Sequence, residues 1–189
     1  MKILLHICCA PCAVYPVETL RKEGHEIAGL FYNPNIHPYT EYLKRKDAVK
    51  EYAGKIGLEV HYGEYEIEKF FQHIVYDEGS GERCPVCWWL RMENAARFAY
   101  QKEFKQFTTT LLGSPYQGHR LVKSICEDIS HKTGVGFYYK DFRAGFREGH
   151  KRAKDEGVYF QKYCGCIFSE RDRYYRKENP ERNQDKSDE

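Results

Sequence analysis

Neither G-x-x-x-x-G-K-[ST] nor G-x-G-x-x-G occurs anywhere in the 189 residues. The usual backbone cradles for nucleotide phosphates are therefore missing. No apolar run approaches the roughly 20 residues of a membrane span. Residues 1–7 begin like a secretion signal, but their apolar stretch is too short and runs straight into cysteines. Charge of one sign is also lacking: 30 Lys and Arg stand against 28 Asp and Glu, for a net +2. Bulk electrostatics thus demand no nucleic-acid partner, although local basic stretches leave one open. There is no internal repeat, and the length suits one domain with a real core.

Cysteine is what the chain has in excess. Seven of its eight cysteines fall into three groups: Cys8, Cys9 and Cys12; Cys84 and Cys87; Cys164 and Cys166. The absence of an export signal or membrane span points to the cytoplasm, where thiols stay reduced and clustered cysteines indicate metal or redox chemistry. One zinc ion or one iron–sulfur cluster uses at most about four protein thiolates. Seven in one place would serve a cluster plus a second metal, or a metal plus a redox dithiol. A structural four-cysteine zinc site would leave Cys8, Cys164 and Cys166 unexplained. A thiol–disulfide role for Cys9-x-x-Cys12 would leave the other clustered cysteines idle. Adjacent side chains alternate in extended backbone, which would let Cys8 and Cys9 serve different centres. The eighth, Cys126, lies near Leu121, Val122 and Ile125 on a helical stretch, where packing is the expected role.

Apolar runs at 2–7, 26–32, 58–61, 107–112 and 136–139 read as strands, and 13–22, 39–56, 67–75, 85–102, 114–132 and 143–156 as helices. Such alternation predicts an α/β fold with a Rossmann-like, mainly parallel sheet and flanking helices. Residues 1–177 form a single α/β metal-binding catalytic domain on this reading, and 178–189 a disordered charged tail. Ligands in such sheets bind beyond the carboxyl ends of the strands, and Cys8 to Cys12 follow the first strand directly.

His6, inside the first strand, reads as a buried, satisfied histidine, whereas His37 sits in a proline-bounded loop where function is common. Asp141 suits a helix cap, a metal ligand or a proton donor. Arg143, Arg147, Lys151 and Lys154 share one helix face, either merely solvated or tracking phosphates.

Six motifs in order carry a resemblance: residues 5–12 (LHICCAPC), 33–38 (NPNIHP) with Glu41 and Tyr42, 83–87 (RCPVC), 107–117 (FTTTLLGSPYQ), 141–143 (DFR) and 163–169 (YCGCIFS). Together, from about residue 3 to 170, the chain resembles the QueH-type, cobalamin-independent epoxyqueuosine reductases. The resemblance implies a fold related to the adenine-nucleotide α-hydrolases and PP-loop enzymes (HUP). It also implies a [4Fe–4S] cluster with an adjacent iron, and removal of the epoxide oxygen from epoxyqueuosine at the tRNA wobble position, giving queuosine. An external low-potential electron donor would be required. In that frame Cys9, Cys84, Cys87 and Cys166 are the candidate cluster ligands. All seven clustered cysteines and Asp141 are candidate metal ligands, and Asp141 is the candidate catalytic group. How the thiolates divide between two centres does not follow from sequence. Arg143, Arg147, Lys151, Lys154 and the Lys44-Arg45-Lys46 run become the candidate tRNA contacts.

Overall fold

The computed structural model describes residues 1–175; the tail expected at 178–189 lies outside them. Five parallel strands form one sheet: β1 (Lys2–His6), β2 (Glu26–Phe31), β3 (Val60–Tyr62), β4 (Gln106–Thr109) and β5 (Gly136–Phe137). Their order is β3-β2-β1-β4-β5, so the expected Rossmann-like arrangement is borne out. The central β1 contributes Ile3, Leu4 and Leu5, all fully buried. A strand covered by helices on both faces needs such an unbroken apolar run rather than an alternating one.

Seven α-helices surround the sheet: α1 (Ala10–Lys22), α2 (Tyr39–Lys55), α3 (Ile67–Ile74), α4 (Ser80–Gln101), α5 (His119–Thr133), α6 (Phe146–Asp155) and α7 (Ile167–Tyr174). The chain first winds outward through β2 and β3, then returns across β1 to β4 and β5. Right-handed crossovers in opposite directions place their helices on opposite faces. Accordingly α1 packs on α6, while α4 packs on α5. The reversal makes the gap between the carboxyl ends of β1 and β4 the topological switch point, where such sheets bind ligands.

Several boundaries differ from the sequence reading, each for a local reason. Helix α1 begins at Ala10, three residues early, because Pro11 fits the first turn and Cys9 takes the extended cap position. Strand β4 stops at Thr109, whose hydroxyl accepts a hydrogen bond from Leu111 N at 3.1 Å and turns the chain into a 3-10 turn at Thr110–Gly113. Helix α4 starts five residues before Pro85. The stretch 114–118 stays outside α5, and residues 143–145 form a 3-10 turn ahead of α6. Helix α7 was not anticipated. It starts after Cys166, whose sulfur and carbonyl both engage Ser169, an N-terminal cap built with cysteine in the place of serine. Gly24 and Gly134 end α1 and α5 in the left-handed conformation, at φ 78° and 73°.

Candidate metal centre

Cys8, Cys9 and Cys12 meet at the switch point. Cys8 leaves β1, Cys9 caps α1 and Cys12 sits in its first turn. Their three sulfur atoms lie within 4.8 Å of one another, and those of Cys8 and Cys9 are 3.8 Å apart. A tetrahedral ion with metal–sulfur bonds near 2.3 Å spaces its thiolates about 3.8 Å apart. The residues therefore fit a thiolate-bound metal, with three protein ligands and one position left over. Cys8 and Cys9, which alternation would let serve different centres, instead bring their sulfurs to one place. Strand β1 ends at His6 and the chain bends at Cys8, so the alternation of extended backbone does not carry through to Cys9.

Neighbouring groups hold the triad. The Thr110 hydroxyl donates to Cys8 Sγ at 3.2 Å and accepts from Cys8 N at 3.1 Å. Gln161 Nε2 donates to Cys9 Sγ at 3.0 Å. Beneath lies His6, fully buried. Its Nε2 reaches the Tyr32 carbonyl at 3.1 Å and must donate there, so Nδ1 accepts from the Thr109 hydroxyl at 3.0 Å. Burial pushes the His6 pKa down to about 4 and keeps the ring neutral. It is a satisfied core histidine, as expected. The three thiols share protons unequally. The neighbouring Cys12 and Cys9 thiols hold Cys8 well below the usual thiol range, while burial raises Cys9 and the closeness of Cys8 raises Cys12.

The remaining cysteines form a looser second group. Cys84 and Cys87 stand one turn apart on α4, and Cys164 and Cys166 flank Gly165 just before α7. Cys87 and Cys166 share an apolar cluster with Phe70, Ile74 and Leu90. Burial pushes the thiols of Cys84 and Cys87 up, Cys87 to about 12, and Cys164 and Cys166 lie within electrostatic reach of both. Gln117 joins the edges of this group: its carbonyl accepts from Trp88 Nε1 at 2.8 Å, and its amide reaches Cys164 Sγ at 3.6 Å.

The 163–167 segment is clamped from the far side by residues 33–45. His37 N donates to Gly165 O at 2.9 Å, and His37 Nδ1 accepts from Ile167 N at 3.3 Å. The His37 ring stacks on Phe71 at 4.8 Å. His37 is thus a structural clamp. Arg45 donates to the carbonyls of Cys164 at 2.7 Å and Tyr163 at 3.0 Å, and to Glu41 at 2.8 Å. It is buried, which removes it from the candidate tRNA contacts. Gly165 is required by space rather than by its dihedral angles: a Cβ there would stand 2.8 Å from Asn35 Nδ2 and 3.3 Å from Ile36 Cγ1.

Arg91 went unnoticed in the sequence, where it reads as one more charge on a helix. It sits one turn after Cys87, bonds the Cys87 carbonyl at 3.2 Å and Asn33 Oδ1 at 3.5 Å, and is 2% exposed. Its Nη2 is buried without a partner among the described residues. Burial works against its charge, and Cys87, Cys164, Cys8 and Cys84 work for it.

Asp141 lies outside the triad. Its carboxylate is engaged by Arg143 through Nε at 2.9 Å and Nη2 at 2.6 Å, with His119 Nε2 at 4.0 Å. Arg143 holds its pKa down at about 2. It is an anion at neutral pH in this arrangement. Arg143, Arg147, Lys151 and Lys154 are all exposed, with Arg143 tied to Asp141 and Lys151 to Asp155. Cys126 is fully buried between Val122 and Ile129, a packing residue as read. No helix of the described residues is long and apolar enough to cross a membrane.

Comparison with known proteins shows the family. The epoxyqueuosine reductase QueH family matches residues 3–172. An epoxyqueuosine reductase QueH of Thermotoga maritima is 39% identical over 88% of this chain and 89% of its own length. That of Dehalococcoides mccartyi is 31% identical over 95% and 98%. Among solved structures, a predicted subunit of tRNA methyltransferase from Methanocaldococcus jannaschii superimposes with a TM-score of 0.54 at 14% identity, over 81% of this chain and 76% of that one, a likeness of fold. The match spans nearly the whole chain and includes every clustered cysteine: the chain belongs to the epoxyqueuosine reductase QueH family.

Proposed function

We propose that this chain removes the epoxide oxygen of epoxyqueuosine in tRNA by a two-electron, two-proton reduction that leaves an alkene and water, and that it does so in the cytoplasm with an external low-potential donor. The observation that carries the reading is the convergence of Cys8, Cys9 and Cys12 at the switch point. These three would hold a single iron. Cys84, Cys87, Cys164 and Cys166 would hold a [4Fe–4S] cluster. Bound there, the metals would supply electrons one at a time and a Lewis acid for the epoxide oxygen.

The chain's own residues would do the rest. Three protein ligands leave one coordination position for a substrate atom. Thr110 and Gln161 would fix the rotamers of Cys8 and Cys9 through their hydrogen bonds. Burial of Cys9, at 1% exposure, keeps bulk water from that side of the triad. Asp141, as an anion, would orient Arg143 toward phosphate or accept a hydrogen bond from substrate. The exposed Arg147 and Lys154 would meet the tRNA backbone.

The test is to purify the protein without oxygen, count iron and acid-labile sulfide, and follow nucleosides from epoxyqueuosine-bearing tRNA after adding a low-potential reductant. Conversion to queuosine that needs both iron and sulfide supports the reading. Roughly one zinc without sulfide, or full activity in metal-free protein, would overturn it.

A further inference from the structure

A cation buried without a counter-anion is a costly arrangement, and evolution of a stable core removes it unless something anionic comes to sit beside it. Arg91 is such a cation: 2% exposed, with one nitrogen that has no partner among the described residues. It forms only a backbone bond to Cys87 and a long contact to Asn33. Asn33 is itself neutral and spends its amide on the Ile7 carbonyl at 2.9 Å, the residue before Cys8. Cysteines of both groups stand within electrostatic reach of Arg91: Cys87, Cys164 and Cys84 from the second group, and Cys8 from the triad. The two other arginines buried nearby differ: Arg45 has Glu41 and Arg83 has Asp172.

We infer that Arg91 is a positioning residue, the shared counter-cation of the two thiolate groups, lying between them and offsetting the negative charge that each gains when its thiols give up protons to a metal. Asn33 extends the link, since it joins Arg91 to the backbone that leads into Cys8. The guanidinium touches no reacting atom in this role; it acts through the cysteines. One positive charge between two anionic centres favours metal retention at both. It also favours the more reduced, more negative state of any redox metal held there.

The inference rests on the thiolate-metal reading of the site, so the test separates the two. Full-length protein is loaded with iron and sulfide, or with Co²⁺ alone as a spectroscopic probe of thiolate ligation. Metal loss is then followed against a chelator in wild type, Arg91→Lys, Arg91→Gln and Arg91→Met. Gln keeps donors for the Cys87 carbonyl and Asn33 but no charge, so a misfolded Met variant does not remove the comparison. Gln and Met should lose metal at least about tenfold more readily, the scale of an outer-shell partner, while Lys stays near wild type. A redox titration of the iron-loaded forms should give more negative midpoints for Gln than for Lys and wild type. Equal retention in Gln and wild type would overturn the inference, as would Lys failing as badly as Gln, which would mean a hydrogen-bonding role. Wild type that binds Co²⁺ through thiolates but takes up no sulfide would instead sink the cluster reading, and the Co²⁺ comparison would still judge Arg91.

Discussion

The two cysteine groups are built in opposite ways. The Cys8, Cys9 and Cys12 triad comes from one strand end and the first turn of the following helix. Local backbone brings its sulfurs within 4.8 Å, and little else has to move into place. The second group gathers Cys84 and Cys87 from α4 and Cys164 and Cys166 from a segment nearly 80 residues later. Backbone geometry does not bring those sulfurs together. The Cys164–Cys166 backbone is held instead by a clamp of His37, Arg45 and the fit of Gly165 against Asn35. A preorganised site should depend mainly on its ligands and the charge beside them, while an assembled one should depend as much on residues that only hold the backbone of its ligands.

The largest effect should follow from breaking the triad itself. Cys8→Ser, Cys9→Ser or Cys12→Ser should each weaken ion binding by more than the roughly 10–100-fold typical of outer-shell changes, with little loss of fold stability; competition against a chelator reads this directly. Metal uptake at this site should also be proton-coupled. Cys9 and Cys12 sit above the ordinary thiol range, so both carry protons at neutral pH and must release them on binding. Affinity should rise with pH, by about tenfold per unit for each proton displaced. Serine variants that retain wild-type affinity, or uptake that ignores pH, would erase the contrast between the groups.

The assembled group should break at a distance. Arg45→Met removes the partner of Glu41, whose side chain is 10% exposed, and frees the carbonyls of Tyr163 and Cys164. Leaving a buried carboxylate unpaired costs about 3–5 kcal/mol, readable by urea unfolding. Adding Glu41→Gln should recover much of it, because the uncompensated charge is gone. A double variant as unstable as the single one would show that the carbonyl bonds, not the ion pair, carry the clamp. Gly165→Ala should cost less, about 1–3 kcal/mol for overpacking, since Asn35 Nδ2 is a side-chain atom that can yield. Its effect on metal retention should fall on the second group and spare the triad.

The same contrast explains what the sequence disclosed. The unbroken apolar run of β1 and the cysteine spacing after it are local features, so the sheet, its switch point and the first ligand group could be read directly. The meeting of Cys8 and Cys9 is hidden because the strand ends at His6 and the chain bends at Cys8, which breaks the alternation of extended backbone. Arg45 and Arg91 could not be read. Each sits in a charged helix whose pattern looks solvated, and each is buried by chain more than 55 residues away in sequence, at Tyr163 and Cys164 for one and at Asn33 for the other. His37 was singled out for its loop, yet its partners on the Gly165 segment are visible only in three dimensions. Helix α7 could have been found had Cys166 been allowed as a cap, with Ser169 and Glu170 following at capping distance.

The smallest effects should come from the exposed face of α6, which belongs to neither group. Arg147 and Lys154 form no ion pair among the described residues, whereas Lys151 is already matched by Asp155 at 2.9 Å. If this face tracks tRNA phosphates, Arg147→Ala and Lys154→Ala should each weaken binding about equally for all sequences and reduce the salt slope by roughly 1. Lys151→Ala should do less, because its charge is partly spent within the helix. All three should leave metal content and unfolding midpoints unchanged. Substitution here that altered metal retention would mean that α6, which packs on α1 beside Cys12 through Gly145 and Gly149 against Tyr15, belongs to the support of the triad rather than to a separate binding face.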